Sequence, residues 1–156
     1  MKTLILYATK YGAAREIAAR IAEHIDGAVL HNLKDSNIPA LTDFDCVIIG
    51  SSLYAGSIRR EAKAFLAQNA EQLLGKQLGL FLSGMSRGEA EKALADNFPP
   101  AIRQAAKQAS LLGGIFDPKK ANAAERFIMK LVTKESGYVD TVSDEKIRQF
   151  AEAVDA

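Results

Sequence analysis

The first twenty-five residues constrain the fold most tightly. An apolar strand runs through a short polar loop straight into an amphipathic helix. Leu4, Ile5, Leu6, Tyr7 and Ala8 form a near-continuous apolar run, the pattern of a strand buried on both faces of a parallel sheet. From Ala14 the apolar positions are Ala14, Ile17, Ala18, Ile21, Ala22 and Ile25, one stripe at helical spacing. Thr9, Lys10, Tyr11, Gly12 and Ala13 must therefore turn the chain within a few residues, and Gly12 can take backbone angles closed to other residues. Such a turn leaves backbone N–H groups unpaired at a helix N-terminus, beside a hydroxyl and a lysine, which makes a seat for a phosphate. The alternative is an ordinary strand-to-helix turn whose glycine only eases the bend.

The same alternation continues along the chain. Strands are expected over 28–32, over 46–50, over 77–83 and over about 110–116. Small polar loops follow at 51–57 and 84–88, and the first of these leads into a helix reaching about Ala70. The next helix breaks near Pro99 and Pro100, where Pro100 suits a first helical turn. Two helices come after the last strand. One has an apolar face of Ala124, Phe127, Ile128, Leu131 and Val132; the other has Ile147, Phe150, Ala151 and Val154, with Ser143 as its N-cap and Gly137 as the break between them. Five strands in this rhythm predict a doubly wound α/β fold with helices on both faces of a parallel sheet, and 156 residues fit a single domain spanning 1–156. Ligands of such folds bind at the carboxyl ends of the strands, where the small loops lie.

Several functions are excluded. No G-x-x-x-x-G-K-[ST] or G-x-G-x-x-G occurs, so nucleotide triphosphatase and dinucleotide-binding readings lose their main signal. Gly84, Ser86 and Gly88 match a G-x-S-x-G nucleophile elbow, but His24 and His31 both precede it, against the order a hydrolase requires. One cysteine and two separated histidines predict no metal site. A phosphoacceptor domain would end its third strand in aspartate, where Gly50 stands. The net charge of +1 argues against nucleic acid as a partner. Val47 to Gly50 and Leu78 to Leu82 are too short to cross a bilayer, Lys2 is followed by no leader pattern, and Cys46 reads as a buried thiol in a reducing compartment. The expected location is cytoplasmic.

The strand followed by Thr9-Lys10-Tyr11-Gly12-Ala13-Ala14 resembles the phosphate loop of the flavodoxin family, whose pattern is [ST]-x-T-G-x-T. Thr9 falls on the first hydroxyl position and Gly12 on the glycine, while Tyr11 and Ala14 replace two family threonines. The resemblance implies a five-stranded sheet in the order 2-1-3-4-5 and a non-covalently bound FMN. It implies that residues 9–14 hold the phosphate, and that Ser52, Leu53, Tyr54, Ala55 and Gly56 with Ser83, Gly84 and Met85 hold the ring. Tyr54 is the expected stacking partner, with Leu53 the alternative. No catalytic side chain is expected, because the cofactor carries the redox chemistry.

Glu125 to Leu131, with Lys134, Ser136 and Gly137, resembles a segment of the menaquinone-dependent protoporphyrinogen dehydrogenases, a flavodoxin-like branch. That likeness implies an FMN-dependent oxidoreductase using a porphyrinogen and a quinone. The alternatives are an electron carrier to a redox partner protein and an FMN-free interaction domain. An inserted helical segment is expected at about 117–142; it leaves the carboxyl end of the last strand and so falls on the ligand rim. Arg126, Lys130 and Lys134 share the face opposite its apolar stripe. This face is either a basic surface for peripheral membrane contact through residues 120–134 or for porphyrin propionates, or a solvated face above a core-packed helix. Lys10, Arg59, Arg60 and Arg87 are expected near the same rim.

Overall fold

A computed structural model describes residues 1–84, 89–117, 119–120, 122–127 and 139–156. Five strands form a parallel sheet: β1 (Thr3–Ala8), β2 (Val29–Asn32), β3 (Cys46–Tyr54), β5 (Gln77–Ser83) and β6 (Gln108–Leu111). Their order is β2-β1-β3-β5-β6, so the parallel strands run 2-1-3-4-5 as expected. The short strand β4 (Ser57–Ile58) folds back antiparallel on the end of β3. Alternate residues of each central strand feed two separate cores. Leu4, Leu6, Val47 and Ile49 face one side, against Ala62 and Leu66 of α2 (Arg60–Gln68), Leu73 of α3 (Ala70–Leu74), Leu94 of α4 (Ala90–Asn97) and Ile102 of α5 (Pro100–Ala105). Ile5, Cys46 and Ile48 face the other, against Ile17 and Ile21 of α1 (Ala13–Ala22) and Phe150 and Val154 of α6 (Asp144–Asp155). Such two-sided burial is why these strands read as unbroken apolar runs.

At the sheet centre Gly50 pairs with Phe81, and a Cβ on Gly50 would lie 2.0 Å from the Phe81 ring. Phe81 meets Phe150 edge-on, with ring centroids 6.2 Å apart, which binds α6 to the sheet. Ser143 caps α6 by accepting a hydrogen bond from the Lys146 N–H, and Pro100 opens α5, both as expected. Burial pushes the Cys46 thiol up to about 11.

The structure departs from expectation after β3 and β5. Residues 51–54 continue β3 instead of starting a loop. The last parallel strand lies at 108–111, earlier than 110–116, and Ile115–Phe116 (β7) pairs antiparallel with Val139–Asp140 (β8) in a separate ribbon. Gly113 makes that return possible: a Cβ there would sit 2.4 Å from the Thr141 carbonyl oxygen. Residues 123–127 are helical, but Ala124 is exposed and Phe127 is 62 % exposed, so this part of the expected apolar face does not enter the core. Ile128, Leu131, Val132, Lys130, Lys134 and Gly137 lie outside the described residues, as do Met85, Ser86, Arg87 and Gly88.

Candidate functional site

Three chain reversals meet at the carboxyl end of the sheet. In the first, β1 ends at Ala8 and α1 begins at Ala13, with Gly12 as N-cap at φ 98°. That φ is strained for any residue with a Cβ, so glycine is required. The Gly12 N–H donates to Thr9 Oγ1 at 2.8 Å, which leaves the Thr9 hydroxyl proton available as a donor. No side chain caps α1, so its first-turn amides open toward the loop mouth. Lys120 Nζ donates to the Tyr11 carbonyl at 3.3 Å and lies 3.8 Å from where a Gly12 Cβ would be. The donor set is amides, a hydroxyl and an ammonium: the chemistry of an anion seat. Ala14 contributes only its backbone here, because its side chain is fully buried beneath α1.

The second reversal is the hairpin joining β3 to β4. Tyr54 pairs with Ser57, and the two turn residues, Ala55 and Gly56, both have positive φ, at 51° and 81°. This is the mirror-image turn that suits the twist of a hairpin. Ser51 Oγ accepts the Arg59 N–H at 2.9 Å and donates to the Ser52 carbonyl, tying the far side of the hairpin to its base. Ser52 Oγ accepts the Lys10 N–H at 3.3 Å, which links the first reversal to the second. The third reversal follows β5, where Gly84 donates to the Gly113 carbonyl at 2.9 Å. Leu53 fills the space left by the missing Gly84 side chain, its Cδ1 2.9 Å from where a Cβ would be. Gly114 packs as closely against the Gly84 backbone.

Between these reversals lies a cavity of about 320 Å³. Lys10, Tyr11, Ala13, Ser52, Leu53, Tyr54, Ala55, Ser83 and Gly84 line it, so the structure brings these predicted residues together. Thr9, Gly12, Ala14 and Gly56 do not line it: they shape the loop and the hairpin turn behind it. Met85 lies outside the described residues. Gly114, Ile115, Phe116 and Glu125 also line the cavity, and sequence reasoning did not assign them to the site.

Glu125 is the most connected of these. Its carboxylate accepts Lys10 Nζ at 3.0 Å, the Tyr11 hydroxyl, and the Asn122 N–H at 3.1 Å. Asn122 in turn accepts the Glu125 N–H at 2.8 Å, a reciprocal cap that starts the helical residues 123–127. An Asn-x-x-Glu pattern in the sequence was the available signal for that helix start. Partial burial alone would raise the Glu125 carboxyl, but hydrogen bonds from Tyr11, Asn122 and Lys10 pull it down to about 2. Partial burial lowers the Lys10 ammonium, yet its bonds to Tyr11, Glu125 and Tyr54 outweigh this and hold it above the ordinary lysine value. The Tyr11 phenol is raised, first by its bond to Glu125. Lys10 Nζ sits 3.6 Å from the centre of the Tyr54 ring, and the Arg59 guanidinium lies 5.9 Å from it. Tyr54 as a whole is 42 % exposed. Arg59 Nε is buried without a hydrogen-bond partner among the described residues.

The description "Flavodoxin domain" belongs to a family model that matches residues 4–143. The chain belongs to the flavodoxin domain family. It is 25 % identical over 150 residues to the protoporphyrinogen IX dehydrogenase [quinone] of Escherichia coli K12, covering 88 % of this chain and 81 % of that one. A flavodoxin from the domain Archaea superposes with a TM-score of 0.59 at 17 % identity, over the whole of both chains. A flavoprotein from Lactobacillus acidophilus, solved in complex with FMN, superposes with a TM-score of 0.50 at 18 % identity, over 72 % of this chain and 91 % of that one. These two superpositions establish the fold. Among the described residues no group of three or more His, Cys, Asp or Glu could hold a metal ion, and no helix is long and apolar enough to cross a membrane.

Proposed function

We propose that this chain is an FMN-binding redox protein whose cofactor lies across the three reversals, with its phosphate at the first and its ring in the cavity between the second and third. One observation carries this reading: an uncapped helix N-terminus beside the Thr9 hydroxyl opens next to a mostly apolar cavity of about 320 Å³. The amides of residues 11, 13 and 14, the Thr9 hydroxyl and the Lys120 ammonium would hold the phosphate. Tyr54, Leu53, Ser83, Gly84 and Phe116 would enclose the ring. When bound, FMN supplies the redox chemistry, taking up and returning one or two electrons. The chain contributes orientation, exclusion of water and charge. Family membership and the FMN complex of the Lactobacillus flavoprotein support the choice of cofactor.

The test is a fluorescence titration with FMN and with riboflavin, which lacks the phosphate. FMN is expected to bind one to one and at least about tenfold more tightly, since a charge-assisted phosphate contact is worth that much or more. Lys120→Ala should narrow the gap by about two- to fivefold, the range of an exposed ion pair, and leave riboflavin unaffected. Equal affinity for the two ligands would refute the phosphate seat.

Beyond cofactor binding, we infer an oxidoreductase similar to the E. coli dehydrogenase, acting on a porphyrinogen and passing electrons to a quinone. The likeness extends over 88 % of the chain, and the insertion contributes Glu125 to the cavity wall, where a substrate would meet the ring. Anaerobic addition of protoporphyrinogen should bleach the FMN-loaded protein. Bleaching only by a reduced ferredoxin reductase would favour an electron carrier instead.

A further inference from the structure

We propose that Asn97, the last residue of α4, positions the hairpin that carries Tyr54 against the cavity and so sets how tightly the site holds a flat ring. The second half of this statement rests on the FMN reading above. The hairpin's own strand pairing is short. Its strand β4 has two residues and pairs with β3 through Leu53–Ile58 and Tyr54–Ser57 only. Its turn places Ala55 at φ 51°, the one non-glycine residue at positive φ among the described residues. Such a conformation is disfavoured by the Cβ and persists only where the surroundings enforce it.

Beside the Ser51–Arg59 bond at the base and the buried Ile58 side chain, Asn97 holds the turn itself. Its Oδ1 accepts the Ile58 N–H at 2.9 Å, and its Nδ2 donates to the Gly56 carbonyl at 3.0 Å. A third bond, from Nδ2 to the Ala93 carbonyl at 2.8 Å, fixes the amide on its own helix. One side chain thus grips the turn and the returning strand together. Neither side-chain atom touches the cavity, whereas Tyr54 and Ala55 both line it. Asn97 is therefore a positioning residue, acting on the ring through Tyr54.

Amide hydrogen exchange on the full chain without flavin, paired with FMN and riboflavin titrations, tests this. In Asn97→Ala, exchange at Ile58 should rise about tenfold, the loss of one hydrogen bond, while Ile5 and Ile48 in the core strands stay protected. FMN and riboflavin affinities should both fall, by about five- to tenfold, because the ring seat loosens and the phosphate seat does not. Asn97→Asp keeps the acceptor for Ile58 but loses both donors, so it should preserve Ile58 protection and still weaken both ligands; it also serves if the alanine variant does not fold. Ile58 exchange within twofold of the native chain in Asn97→Ala overturns the grip. Raised exchange with both affinities within twofold overturns the positioning role. Should the native chain bind neither flavin, the FMN reading fails, the affinity half falls with it, and Ile58 exchange alone decides whether Asn97 holds the hairpin.

Discussion

Glu125 shows how one residue can join the chain after β7 to the loop that follows β1. A carboxylate taken partly out of water is stable only if its oxygens are satisfied, and here Lys10, Tyr11 and the Asn122 amide satisfy them. Its carboxyl lies at about 2 in the folded chain against an ordinary 4.5. A depressed carboxyl contributes stability that is complete above the ordinary value and is lost as pH falls toward the folded one. Glu125→Gln keeps the size and an acceptor for Asn122 but removes the charge. At pH 7 the native chain should therefore unfold at a higher temperature than the variant. The gap should shrink as pH falls from about 4.5 toward about 2. Thermal unfolding of both chains across that range checks it; a gap that is constant with pH, or absent at pH 7, would show that the ion pair contributes nothing. The partners lie 115 residues apart in sequence, which is why Asn-x-x-Glu could mark a helix start but not where the carboxylate would reach. Thr9 and Gly12 were legible because their roles are local: a hydroxyl and a left-handed glycine within one turn.

At the scale of elements, legibility follows burial. The central strands β1, β3 and β5 are covered on both faces and could be read directly from their apolar runs. The edge strand β6 is only half-buried along its length, so Gln108 and Ala109 gave no signal, and Leu112, Ile115 and Phe116 drew the expected strand too far along the chain. Leu112 is buried beyond the end of β6, while Ile115 and Phe116 serve the ribbon. The same ribbon defines a clean excision. Phe116 and Val139 are direct partners in an antiparallel pair, so an Asn-Gly turn can replace residues 117–138 without disturbing β7 or β8. Phe116 would remain on the cavity wall; Glu125 and Lys120 would be lost. The shortened chain should fold and bind FMN, weakened by no more than the Lys120 contact, about two- to fivefold. It should lose turnover with protoporphyrinogen if the segment between β7 and β8 shapes the substrate site. Steady-state turnover with a quinone acceptor measures this, and undiminished turnover would assign that segment no part in the reaction.

For the whole molecule, charge decides which oxidation state the site favours. The chain carries 20 basic and 19 acidic residues, so no strong overall field opposes an anion. Locally the balance is positive. Glu125 is spent on Lys10, while Arg59 near the Tyr54 ring and Lys120 at the first reversal have no carboxylate partner among the described residues. Reduction adds negative charge to a flavin, and neighbouring cations favour the charged form. Reduced FMN is thus expected to bind more tightly than oxidised FMN, which by linkage places the potential of the bound cofactor above that of the free one. An anaerobic titration against reference dyes measures this directly. Because these cations are near the surface, the upward shift should diminish as salt is raised from about 0.01 M to about 1 M, where the screening length falls from roughly 30 Å to roughly 3 Å. A potential driven well below that of free FMN, at any salt, would mean that the cations do not face the ring and that the chain is built to deliver electrons at low potential, not to accept them from an organic substrate.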